Sequence, residues 1–165
     1  INKSVFMEAV VVQMTWPGAP TIYYGDEVGL CGWTDPDNRR GYPWGREDKE
    51  LLNFHKDMIK IHKRLDALMK GSVVFLNGEY KVISYGRFTD YQSVVVIMNN
   101  DYEPRELNIH VRRLGVPDGA AMRTEILTTE EGYNLTPKEY LVKNNSLTIS
   151  VPKISAMVLS YTKPE

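Results

Sequence analysis

Hydrophobic and polar positions change period twice along this chain. Residues 4–15, SVFMEAVVVQMT, predict a helix with Ser4 as its N-cap and only Glu8 and Gln13 as polar interruptions. A helix apolar on nearly every side expects burial on more than one face, although Val10-Val11-Val12 also fits a strand. Pro17-Gly18 ends it, and Pro20 to Tyr24 predict a short strand closed by Gly25. Asp26 and Glu27 follow at once, and a Gly-, Asp- and Pro-rich loop leads on to Arg39 and Arg40. Long loops without regular structure are uncommon unless they are functional or disordered.

Between Arg46 and Lys70 the pattern is helical again. Leu51, Phe54, His55, Met58, Ile61, His62, Leu65, Leu68 and Met69 share a face, and Lys, Asp and Arg occupy the other. Glu47, Asp48 and Glu50 in the first turn and Lys70 in the last suit the helix dipole, and Gly71 stops the helix. From Ser72 onward the period is twofold. It predicts strands near 73–76, 80–88, 92–99, 105–112, 121–128, 139–143, 146–151 and 154–162, with turns at Asn77-Gly78, Thr89-Asp90, Pro117-Asp118-Gly119 and Asn144-Asn145. Short strands at such intervals indicate an antiparallel sandwich or barrel.

The chain therefore divides into residues 1–71, a helix–strand–loop–helix unit, and residues 72–165, an all-β domain. The first unit is incomplete, because a lone strand between two helices leaves its backbone groups unpaired. A parallel sheet with helices outside would satisfy it, its other strands lying upstream of Ile1. The start at Ile1, without Met or a signal-like segment, also reads as part of something longer.

Composition narrows the class. Hydrophobic residues at 42% and charged residues at 25% indicate an ordinary globular chain rather than a disordered one. A net charge of −1 gives no electrostatic case for nucleic acid or an anionic membrane surface, and no apolar run is long enough to span a bilayer. The single cysteine, Cys31, excludes an internal disulfide and fits a reducing, cytoplasmic setting.

The stretch PGAPTIYYGDEVGLCGWTDPDNRRGYPW, residues 17–44, resembles the segment that ends the catalytic barrel in the α-amylase family of glycoside hydrolases, especially its neopullulanase, cyclomaltodextrinase and α-glycosidase branch. In that family a Gly-x-Pro-x-Ile-Tyr-Tyr-Gly-Asp/Thr-Glu motif forms the eighth barrel strand. A glycine-rich loop, an Asp-Pro-x-x-Arg element, the eighth helix and a β domain called domain C follow. The resemblance thus implies a C-terminal segment of a TIM (β/α)8 barrel followed by an antiparallel Greek-key β-sandwich. It implies that Asp35 and Arg39 bind a sugar of the substrate, and that Tyr23, Tyr24, Gly25, Asp26 and Glu27 support the site at the strand end. The parent would act on α-glucosidic bonds of starch-derived glucans by a retaining, two-carboxylate mechanism. The family's nucleophile, acid/base and transition-state carboxylates lie on strands that would precede Ile1, so the resemblance places no catalytic residue in this chain.

The residues carry blander readings as well. Asp26 and Glu27 are a tempting acid/base pair, but neighbours on an extended strand point to opposite faces. His55 and His62 are seven apart, whereas ligands on one helix sit three or four apart, so they read as structural. Cys31 has no activating neighbour in sequence and reads as a structural thiol. No cofactor or metal site is indicated. The aromatic residues of the β domain, Tyr80 and Tyr102 among them, are explained first by packing. An alternative is a non-catalytic β module that binds carbohydrate or a protein. The partner implied by the resemblance is an α-glucan or malto-oligosaccharide, with no nucleic acid and no membrane. Self-association through the incomplete barrel surface is a further expectation.

Overall fold

The computed structural model describes residues 2–164. Helix α1 spans Lys3–Thr15, α2 spans Lys49–Arg64 and α3 spans Asp66–Lys70. Nine strands follow: β1 Ser72–Glu79, β2 Val82–Phe88, β3 Gln92–Asn99, β4 Arg105–His110, β5 Ala121–Thr129, β6 Gly132–Asn134, β7 Glu139–Leu141, β8 Ser146–Val151 and β9 Ser155–Thr162. No helix among the described residues is long and apolar enough to cross a membrane.

The strands form two antiparallel sheets. The larger has the order β1-β2-β3-β9-β5-β6, with β7 also pairing β5, and the smaller joins β4 to β8. Strands β3 and β9 pair from Gln92↔Thr162 to Asn99↔Ser155. Their chain neighbours β4 and β8 pair from Arg105↔Val151 to His110↔Ser146 in the small sheet. The chain therefore passes between the two sheets side by side at β3–β4 and at β8–β9.

Alternation along the central strands builds three layers. Val94, Val96 and Met98 of β3 and Ala156 and Val158 of β9 face the helices, in one cluster with Met7, Val11, Met14, Phe54, Met58 and Leu68. Val95, Ile97, Met157 and Leu159 face the other way, onto Leu107, Ile109, Leu147 and Ile149 of the small sheet. This is why β3 is buried at every position: it is covered on both faces rather than half-solvated. Its continuous apolar run Val94–Met98 is the sequence trace of that placement.

Four local expectations change. Asn2, not Ser4, caps α1, its side-chain oxygen accepting from the amides of Ser4 and Val5; Ser4 is itself buried. The helix expected from Arg46 to Lys70 begins after the N-cap Asp48 and breaks at Leu65, whose extended backbone buries its side chain instead of continuing the helix. Gly71 ends α3 as expected, in an extended conformation. Glycine is needed there because a Cβ would stand 2.4 Å from Ala67 O and 2.7 Å from Phe88 O. The Asn77-Gly78 pair lies inside β1 at a bulge, and the hairpin turns at Tyr80-Lys81, with Lys81 at φ 63. Residues 20–24 adopt no strand, because no neighbouring strand is present to pair with them.

Helix–sheet attachment is partly polar. Arg87 of β2 is buried among the helices and donates from Nη1 to Thr15 O at 2.7 Å and from Nη2 to Gly71 O at 2.8 Å. The side chain of His62 meets Met14 O at 2.7 Å through Nδ1. Lys3 bridges the start of α1 to Asp48 and Glu50 of the α2 start, at 2.6 and 3.1 Å.

Candidate functional site

The loop between α1 and α2 carries the sequence-derived candidates. It opens with Gly25 at φ 94, a left-handed conformation that favours glycine. A short 3₁₀ turn over Asp26–Val28 follows. Asp26 and Glu27 therefore lie in a turn, not on the extended strand expected for them. The Glu27 carboxylate accepts from Gly25 N at 2.8 Å, closing the turn on itself. Asp26 is half-buried, and burial first, then the neighbouring Glu27 charge, raises its pKa, while His55 works in the opposite direction.

Tyr23 and Tyr24 are exposed and stack at 5.2 Å between ring centroids. The Tyr24 hydroxyl donates to Arg40 O at 2.9 Å and so ties the start of the loop to its far arm. Between them Asp35 and Arg39 form a two-pronged ion pair, Nε to Oδ1 at 2.9 Å and Nη2 to Oδ2 at 2.9 Å. Asp37 pairs with Arg40 at 2.6 Å and accepts from Trp33 N at 3.1 Å. The guanidinium of Arg40 holds the Asp37 carboxyl below its ordinary pKa. The loop thus presents a charge-compensated, solvent-facing surface with hydrogen-bonding capacity on both partners of each pair.

Aromatic rings surround this surface. Trp33 and Trp44 are 83% and 80% exposed, far more than packing would leave them. Tyr42 stacks on Trp44 at 4.5 Å, and burial together with the Glu27 carboxylate raises the pKa of its hydroxyl. A cleft of about 290 Å³ lies beneath, lined by Phe6, Tyr23, Tyr24, Asp26, Leu30 and Asn38 among others. Of the sequence-derived candidates Tyr23, Tyr24 and Asp26 line it, whereas Gly25, Glu27, Asp35 and Arg39 do not.

The histidines are engaged by backbone. His55 is buried and its Nδ1 meets Leu51 O at 2.9 Å. Among the described residues no group of three or more His, Cys, Asp or Glu side chains gathers as a metal ion would require. Cys31 is a free, exposed thiol whose Sγ meets Gly29 O at 3.5 Å.

Residues 73–162 match the family described as "Alpha amylase, C-terminal all-beta domain". This chain belongs to that family. An amylopullulanase of Thermoanaerobacter thermohydrosulfuricus is 31% identical over 163 residues, covering 92% of this chain and 10% of that protein. A neopullulanase 2 of Thermoactinomyces vulgaris is 36% identical over 118 residues, covering 69% of this chain and 20% of that protein. A crystal structure of an Anoxybacillus alpha-amylase superposes with a TM-score of 0.83 at 21% identity, over 99% of this chain and 33% of that one. That last likeness is one of fold. The chain spans about a tenth to a third of these proteins. Its antiparallel sheets, with few helices, are the all-β domain of the family.

Proposed function

We propose that this chain is the C-terminal part of a glycoside hydrolase acting on α-glucosidic bonds of starch-derived glucans. In this reading residues 1–71 complete a (β/α)8 barrel and residues 72–165 form domain C. The observation that carries the reading is the extent of the likeness to amylopullulanase. At 92% of the chain it runs well beyond residues 73–162, into the loop and helices that hold the candidate site. Asp35 and Arg39 would bind a glucose unit through their paired carboxylate and guanidinium, which match adjacent sugar hydroxyls. Tyr23, Tyr24, Gly25, Asp26 and Glu27 would support the strand end once residues 20–24 pair with neighbouring strands.

The outer surface of α1 supports the barrel half of the reading. Val5 of α1 is exposed, as are Trp16 just past its end and Tyr23 and Tyr24 of the following loop, apolar surface that a larger barrel would cover. In isolation the same surface would drive self-association. The catalytic carboxylates would come from the preceding part of the protein, so the chain alone would be inactive.

The test compares the 165-residue chain with the longest protein that contains it, on soluble starch, pullulan and cyclodextrins. Reducing-sugar release by the longer protein, and none by the chain, is the expected result. A longer protein that cleaves none of these glucans would remove the reading.

A further inference from the structure

Two tyrosines of the β domain stand apart from the rest. Tyr85 is buried in the core, Tyr133 packs edge-on against Phe54, and Tyr91 donates to Asp66. Tyr80 and Tyr102, by contrast, are 80% and 72% exposed. Neither hydroxyl has a hydrogen-bond partner among the described residues. Tyr80 sits on the β1–β2 turn and Tyr102 on the β3–β4 loop, yet both converge on one cation. Lys81 Nζ lies 5.2 Å from the Tyr80 centroid and 5.4 Å from that of Tyr102.

The support beneath these rings is built rather than loose. Asn100 N donates to Lys81 O at 2.9 Å, joining the turn to the loop. Asn99, fully buried, donates from its amide to Glu103 O and Pro152 O, both at 2.9 Å, and accepts from Asp101 N at 3.1 Å. Asp101 in turn accepts from Tyr102 N at 2.8 Å, from Lys81 Nζ at 3.4 Å and from Arg105. The backbone that carries these two exposed rings is therefore anchored by a polar network centred on Asn99 and Asp101.

The chemistry of the cluster narrows its ligand. A quaternary or methylated ammonium, the usual guest of an aromatic cage, would meet the Lys81 charge already lying between the rings. A phosphate would find one ammonium, already compensated by Asp101. A neutral, polyhydroxylated ligand meets neither obstacle. Its apolar C–H faces suit exposed tyrosine rings, and its hydroxyls can bond to the free phenol groups and to the Lys81 ammonium.

We propose that Tyr80, Lys81 and Tyr102 form a carbohydrate-binding platform that takes a short oligosaccharide across the two rings. The platform follows from geometry, and the choice of an α-glucan as its ligand rests on the proposed function. It lies on other elements than the Gly25–Arg46 loop and binds without any contribution from Asp35 or Arg39.

The test titrates the 165-residue chain with maltoheptaose and, separately, with cellohexaose, following amide shifts and heat. Maltoheptaose should shift the amides of Tyr80, Lys81 and Tyr102. The Y80A/Y102A double variant should bind it at least about tenfold more weakly, with its melting temperature unchanged because both rings are exposed. Shifts of the Gly25–Arg46 loop amides in the same titration report separately on that loop. Binding of cellohexaose in place of maltoheptaose, lost in Y80A/Y102A, upholds the platform and counts against the α-glucan reading. Absence of binding to either sugar overturns the platform, as does binding that Y80A/Y102A leaves intact. A protein ligand captured by the same rings in place of sugar overturns it too.

Discussion

Arg87 reaches from the middle of the sheet to Thr15, the last residue of α1, and holds its carbonyl at 2.7 Å. Its second nitrogen holds Gly71 O, just past the end of α3. One guanidinium thus closes two helix C-termini, where carbonyls lack partners and the helix dipole favours a cation. Burial lowers its pKa, but arginine keeps its charge. Replacement by Met leaves the buried Thr15 carbonyl and the part-buried Gly71 carbonyl without this donor and should cost about 1–3 kcal/mol. Replacement by Lys, which lacks the fork, should recover only part of this. Urea unfolding measures both, and an R87M midpoint equal to that of the parent would show that the bridge contributes nothing.

Glu8 sets a pH dependence of opposite sign to most acidic residues. It is 5% exposed, its Oε2 accepts from Asn100 Nδ2 at 2.9 Å, and its Oε1 has no partner. Burial pushes its pKa from 4.5 up to about 7, against the hydrogen bond from Asn100. Between those values the folded carboxyl keeps a proton that the unfolded chain has lost. Stability should therefore fall as pH rises through this window, by up to roughly 3 kcal/mol. E8Q should flatten the profile and be the more stable protein above pH 7. Asp48, whose pKa is lowered first by Lys3, acts in the other direction: its contribution is lost only as pH falls below its ordinary 3.8. Thermal melts from pH 5 to 8 separate the two, and identical slopes for parent and E8Q would exclude Glu8 as the source.

Gly71 and Gly41 make a matched pair. A methyl group on Gly71 would collide with two backbone carbonyls, whereas one on Gly41 meets nothing within 4 Å. G71A should lose about 1–3 kcal/mol, and G41A should melt within a degree or two of the parent. Equal melting temperatures for the two variants would refute the crowding argument.

Asp35 and Arg39 are 64% and 60% exposed at the side chain, so their pairing should contribute almost nothing to folding. D35A and R39K in the chain should leave its melting temperature unchanged. On the proposed function, the same changes in a longer protein containing this chain should lower kcat/KM on malto-oligosaccharides by at least about tenfold, because Lys cannot reproduce a two-pronged contact. Unchanged kinetics would leave the pair as a loop clasp.

Which features could be read from the sequence depends on how local their causes are. The continuous apolar runs Val94–Met98 and Ala156–Leu159 mark strands because both faces of the sheet are filled from within the chain. Thr21–Tyr24 has the same β-branched and aromatic character and forms no strand, since pairing needs a neighbour and not a propensity. Gly132–Asn134 pairs with β5 over three residues, too short to show a period. The burial of Arg87 left no mark in the sequence, because the helix ends that make it tolerable are distant along the chain. At the candidate site the four-residue spacing of Asp35 and Arg39 already allowed the pair. The return of the loop through Tyr24 and Arg40 did not show, because a hydroxyl-to-carbonyl bond across 16 positions leaves no pattern.

Covering β3 and β9 on both faces also fixes what this family could have passed between enzymes by recombination. A joint placed at residue 72 would hand a new host a sheet whose Val94, Val96, Met98, Ala156 and Val158 are bare. The heritable unit here includes α1, α2 and α3 with the strands, and a gene fusion that omits the helices has to supply an apolar surface of matching shape.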